Sequence, residues 1–202
     1  MLKHKILVFF SLILSLVASI YFSLFFFEKV WIIFLITGLL SFFYVWKTPG
    51  LNGKNLRDIP GIKIYLIGIV WVVITVLIPY LTNANLGLTN TIILFVSELL
   101  FMISITIPFD IRDINLDEAS KKTIPQLIGI QNSIFTSIII MIISQIMLQY
   151  LMPSLNIGIW LFTVISIVIL YFSKPKRQEL YFSGLTDGLL ILQPILLYLF
   201  NF

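Results

Sequence analysis

Seven apolar runs, set between short polar connections, limit this chain more than any other feature. They cover residues 6–27, 30–46, 64–81, 91–109, 127–150, 155–172 and 185–200. A helix rises 1.5 Å per residue, so about 20 apolar residues cross a bilayer core of about 30 Å. Each run is therefore read as one membrane-crossing helix. Of the 202 residues, 59% are hydrophobic and 11% charged, with a mean hydropathy of +1.07, outside the balance of a soluble domain. No polar stretch is long enough to build a second core. The fold class expected is an all-α, polytopic transmembrane helical bundle, with residues 1–202 forming a single domain. Cysteine is absent, which excludes disulfides, thiolate metal sites and a cysteine nucleophile. Lys3-His4-Lys5 followed by an apolar run has the outline of a signal peptide, but the run is too long and lacks a small-x-small cleavage site, so a retained helix is expected. His4 is read as an interfacial residue.

The lysines and arginines orient the bundle, because alternate connections lie on one side of the membrane. The N-terminus, Lys47 to Lys63, Asp110 to Thr123 and Lys174 to Glu179 hold all of the 13 basic residues but Lys29. That places the N-terminus and the charged loops in the cytoplasm and the C-terminus outside, in what is expected to be a bacterial inner membrane. The net charge of +4 is too small to argue for nucleic acid.

The densest chemistry lies at the end of the fourth run, in Pro108-Phe-Asp-Ile-Arg-Asp-Ile-Asn-Leu-Asp-Glu-Ala-Ser-Lys-Lys-Thr123. Written on a helix, Asp110, Asp113 and Asp117 share one face. Like charges so placed repel each other unless a cation sits among them. Mg²⁺ suits the arrangement, since it takes a carboxylate or two together with phosphate oxygens and water. The expected ligand is a metal-bridged phosphate or diphosphate. The other reading of these residues is a solvated loop in which Glu118 pairs with Lys121 or Lys122. Glu98, about three turns before Asp110, is expected to be protonated or to face a polar interior, either behind the site or as a neutral, hydrogen-bonding link between helices. Gln131, Asn132, Ser144 and Gln145 are read as interhelical hydrogen-bonding residues. Asp187 is read as a helix-start cap in preference to a site residue.

The pattern Asp110-Ile-Arg-Asp113-Ile-Asn-Leu-Asp117, with Lys121-Lys122-Thr123 leading into the next helix, resembles the second aspartate-rich motif of the UbiA prenyltransferase superfamily. The basic loop from Tyr44 through Arg57 to Lys63 is similar to the loop between that family's fourth and fifth helices. The resemblance covers the whole chain but accounts for seven of the family's nine helices, and no first aspartate motif precedes Ile6. It implies a member lacking the first two helices and, with half of the metal clamp missing, little or no turnover by this chain alone. The implied chemistry is Mg²⁺-dependent transfer of a prenyl group from an isoprenoid diphosphate to a lipid-phase acceptor. Carried over onto this sequence, Asp110, Asp113 and Asp117 hold the metal. Arg112 joins Asp113 and Asp117 as a catalytic residue, and Lys122, Arg57 and Lys63 bind the diphosphate. The alternative function is a non-enzymatic membrane protein, a transporter subunit or scaffold, that uses Glu98 and the aspartates for ion passage or helix association.

Overall fold

The computed structural model of the chain describes residues 10, 13–14, 17, 20–21, 30–44, 46, 55–56, 59, 61–82, 87–116 and 121–200. Among the described residues there are helices and turns and no strand. The helices are α1 (Val30–Tyr44), α2 (Ile62–Thr82), α3 (Leu88–Arg112), α4 (Ile124–Ile128), α5 (Ile130–Leu151), α6 (Pro153–Tyr171) and α7 (Tyr181–Leu199). Five of these, α2, α3, α5, α6 and α7, are long and apolar enough to cross a membrane. α1 falls within the expected run 30–46 and is bounded by residues outside those described. The expected run 6–27 lies mostly outside the described residues; the six of its residues that are described, among them Phe10 and Tyr21, are helical and exposed.

Two helix starts differ from expectation, each for a local reason. The run 127–150 is divided at Gly129, whose φ of 81° breaks the helix, so the spanning part begins at Ile130. The last span begins at Tyr181 rather than 185, through a π-helical stretch, Tyr181–Thr186, in which the Asp187 N–H bonds to the Phe182 carbonyl. A similar π-helical stretch, Val73–Leu77, lies inside α2 just before Pro79. Proline has no N–H and its ring collides with the carbonyl four residues earlier, and a widened turn relieves that clash.

α3 is the centre of the bundle. Half of its apolar window is buried, against 28% to 39% for the other four spanning helices. It packs chiefly against α5 and next against α2. Small side chains make the close α3–α5 approach. The Ser97 hydroxyl donates to the Ser144 carbonyl at 2.9 Å, and Ser104 and Ser137 exchange hydroxyl-to-carbonyl bonds at 2.9 and 2.8 Å. The second pair explains how α3 tolerates Pro108. A proline at 108 leaves the Ser104 carbonyl without its helical donor, and the Ser137 hydroxyl supplies one. Of the residues expected to link helices, Ser144 and Gln145 are buried, with the Gln145 amide 3.2 Å from the Ser144 hydroxyl. Asn132 bonds back to the Ile128 carbonyl, and Gln131 is exposed.

Around this seam the core is aromatic and branched. Phe101 of α3 meets Phe162 of α6 edge-to-face with ring centres 5.7 Å apart, both rings buried. α6 and α7 approach closely at Gly158, where a β-carbon would stand 2.9 Å from the Leu196 carbonyl oxygen. The Tyr181 hydroxyl donates to the Ile169 carbonyl, which ties the start of α7 to α6.

Candidate functional site

α3 delivers the acidic stretch but stops inside it. Arg112 is its last residue, Asp113 (φ −87°, ψ 3°) caps it, and residues 113–116 turn away. Of the three aspartates expected on one face, Asp110 lies within the helix and Asp113 at its cap, where the helical spacing ends. Asp117 and Arg57 lie outside the described residues.

Asp110 and Asp113 separate into different surroundings. Asp110, with 1% of its surface exposed, accepts a 2.7 Å ion-paired hydrogen bond from Lys63 at the start of α2. Asp113 is gripped by the neighbouring Arg112 fork, with Nε 2.7 Å and Nη2 3.0 Å from its two carboxylate oxygens. The guanidinium is held in turn by aromatic faces, 5.2 Å from the ring centre of Phe109 and 5.7 Å from that of Phe182. Phe109 comes from α3 and Phe182 from the π-helical stretch of α7, so Arg112 joins the two helices.

Beside this group opens a cavity of about 340 Å³ between α1, α2, α3 and α7. Its polar end carries Lys63, Lys121, Arg112, Asp113 and Asp187, and its apolar wall Ile67, Met102, Ile105, Phe109 and Leu190. Tyr44 and Thr106 also line it. A smaller pocket of about 140 Å³ shares Lys63 and Lys121 with the cavity and also takes in Asp110, Lys122 and Thr123. Of the residues expected at a diphosphate site, Arg112, Asp113 and Lys63 thus come together in the larger cavity. Asp110 and Lys122 line only the smaller one. Glu98 lines neither.

Asp187, read from the sequence as a cap, makes no side-chain cap bond: the cap position falls on Gly188, and no hydrogen bond to the Asp187 carboxylate is present among the described residues. The wide turn of Tyr181–Thr186 shifts the register of α7 and sets Asp187 along the cavity wall, within the electrostatic reach of Arg112. A signal for it was available in the glycines at 184 and 188, since a β-carbon on Gly188 would run into the Gly184 carbonyl. Lys121 and Tyr44, which the resemblance includes without a site role, are further lining residues, as is Thr106, for which the sequence gave no sign.

No three His, Cys, Asp or Glu side chains converge among the described residues, so there is no closed metal cage there. A phosphate-bridged Mg²⁺ asks for less, one or two carboxylates with ligand oxygens and water. Asp113 and Asp187, from two helices on the same cavity, fit that requirement. No family model matches the chain, and neither the curated proteins nor the solved structures compared with it give a match.

Proposed function

We propose that the 340 Å³ cavity receives the diphosphate end of an isoprenoid lipid and that the chain is a membrane prenyltransferase of the UbiA kind, with seven spans and the cavity mouth on the cytoplasmic side. The observation that carries the reading is the division of one cavity into a charged end, with three cations and two carboxylates, and an apolar wall. A prenyl diphosphate has the same division. Arg112, Lys63 and Lys121 are placed to neutralise the diphosphate, and Asp113 and Asp187 would hold Mg²⁺. That ion, when bound, offsets the negative charge that grows on the departing diphosphate. In the transfer the prenyl C–O bond breaks with its electron pair going to the diphosphate, and the acceptor forms the new bond and loses a proton. Ile67, Met102, Ile105 and Leu190 keep water from the allylic carbon while it is cationic. The Arg112 fork keeps the Asp113 carboxylate from swinging, so its oxygens are oriented before the ligand arrives.

The test is the binding of farnesyl diphosphate to the purified chain in detergent, with Mg²⁺ or with EDTA. Binding is expected to need Mg²⁺ and to weaken at least about tenfold in Asp113→Asn. Equal binding in EDTA, or no effect of the substitution, rejects the reading.

A further inference from the structure

The basic connection between α6 and α7 borders a second opening. Lys176 and Arg177 line one end of a groove of about 680 Å³, and Leu180, Tyr181, Gly184 and Leu185 carry it along the start of α7. The groove shares no lining residue with the cavity. Its charge is of one sign. No carboxylate lines it, and Glu179, the only acid between Ser173 and Thr186, acts electrostatically on Arg112.

The two ends of the groove differ in chemistry. At the charged end Arg177 is held in place: its guanidinium lies 5.9 Å from the ring centre of Phe172 and 5.5 Å from that of Tyr181, and its Nε donates to the Phe172 carbonyl at 3.4 Å. The Tyr181 hydroxyl is itself anchored on the Ile169 carbonyl, so the cation is oriented before a ligand arrives. The other end is apolar and open. Leu180, 74% exposed, stands at the start of α7, and Leu185, 50% exposed, lies one π-helical turn further along it, while Gly184 adds no side chain to the groove. A free anion would use only the charged end of such a groove, and an uncharged lipid only the apolar end. An anionic phospholipid uses both.

We propose that this groove binds one anionic phospholipid, with the headgroup phosphate against Lys176 and Arg177 and an acyl chain lying over Gly184 along Leu180 and Leu185. The site stands whether or not the cavity handles a prenyl diphosphate.

The experiment titrates the full chain in detergent with phosphatidylglycerol or phosphatidylcholine and follows the first bound lipid by native mass spectrometry. The unmodified chain is expected to hold phosphatidylglycerol at least about tenfold more tightly than phosphatidylcholine. Lys176→Gln and Arg177→Gln, both at exposed positions, should each weaken phosphatidylglycerol binding about fivefold. Lys174→Gln removes the same charge from the same loop but at a residue that does not line the groove, and it should change binding by less than about twofold. Gly184→Leu fills the apolar end with the charges unchanged. A β-carbon there meets only the Leu180 side chain, at 3.7 Å, so the helix accommodates it, and binding should again fall about fivefold. Four results would each overturn the proposal. They are equal retention of the two lipids by the unmodified chain, no loss in Lys176→Gln and Arg177→Gln, no loss in Gly184→Leu, and a loss in Lys174→Gln as large as in Lys176→Gln. The last is what general attraction of lipid to a basic loop would give.

Discussion

The two sides of α3 are built by opposite rules. Toward α5 it presents serines, and the hydroxyls of Ser97, Ser104 and Ser137 all donate to carbonyls across the interface. Toward α2 and α7, at its end, it presents Asp110 and Arg112, with Asp113 as its cap, beside a cavity. The α5 side is neutral, and its serine hydroxyls are bonded across the interface. The cavity side balances charge against charge, and Asp187 has no hydrogen-bonding partner among the described residues. A helix in lipid gains little from burying apolar surface against another helix, so the serine seam holds the bundle by close packing and hydrogen bonds. The charged end is costly by comparison, and intramembrane or membrane-edge charge of this kind usually accompanies function.

Substitutions can break this contrast or sharpen it. The largest loss of stability is expected from Lys63→Met, which removes the charged hydrogen bond at 2.7 Å from the buried Asp110 carboxylate and costs about 3 kcal/mol. Adding Asp110→Leu should recover most of that loss in chemical denaturation in detergent. Ser137→Ala comes next, at about 1–2 kcal/mol, because it leaves the Ser104 carbonyl bare. Pro108→Ala in the same chain returns an N–H to that carbonyl, so the double variant should be more stable than Ser137→Ala alone. Were Lys63→Met no more damaging than Ser137→Ala, the distinction between a charged end and a neutral seam would be lost. The smallest effect is expected from Asp187→Asn, within about 0.5 kcal/mol of the unmodified chain because the residue is exposed, yet it should weaken Mg²⁺-dependent farnesyl diphosphate binding.

Much of the fold was legible because hydropathy reports directly on what lipid demands of a backbone. The spans expected at 64–81, 91–109 and 155–172 are found as α2, α3 and α6, each within three residues of its expected ends. The site was legible in part. Arg112, Asp113 and Lys63 could be picked out because charge at the end of an apolar run is conspicuous. The end of α3 could not, since nothing in Asp113-Ile-Asn-Leu116 forbids another helical turn, and so Asp110 and Asp113 were assigned to one face although they line separate pockets. The expected cap at Asp187 falls on Gly188 for a related reason. Residue spacing on an ordinary helix does not anticipate a π-helical turn, and the turn at Tyr181–Thr186 is what sets the register of the residues after it.

In the proposed function the charged end of this cavity holds a diphosphate while the isoprenoid chain lies along the wall behind it. Photocrosslinking with a diazirine-bearing farnesyl diphosphate in Mg²⁺, mapped by mass spectrometry, tests that most directly. Labels are expected on Ile67, Met102, Ile105 and Leu190 and should disappear in Arg112→Gln. Labels spread over the outward faces of α5, at residues such as Ile139 and Ile143, and unchanged by Arg112→Gln, would contradict it.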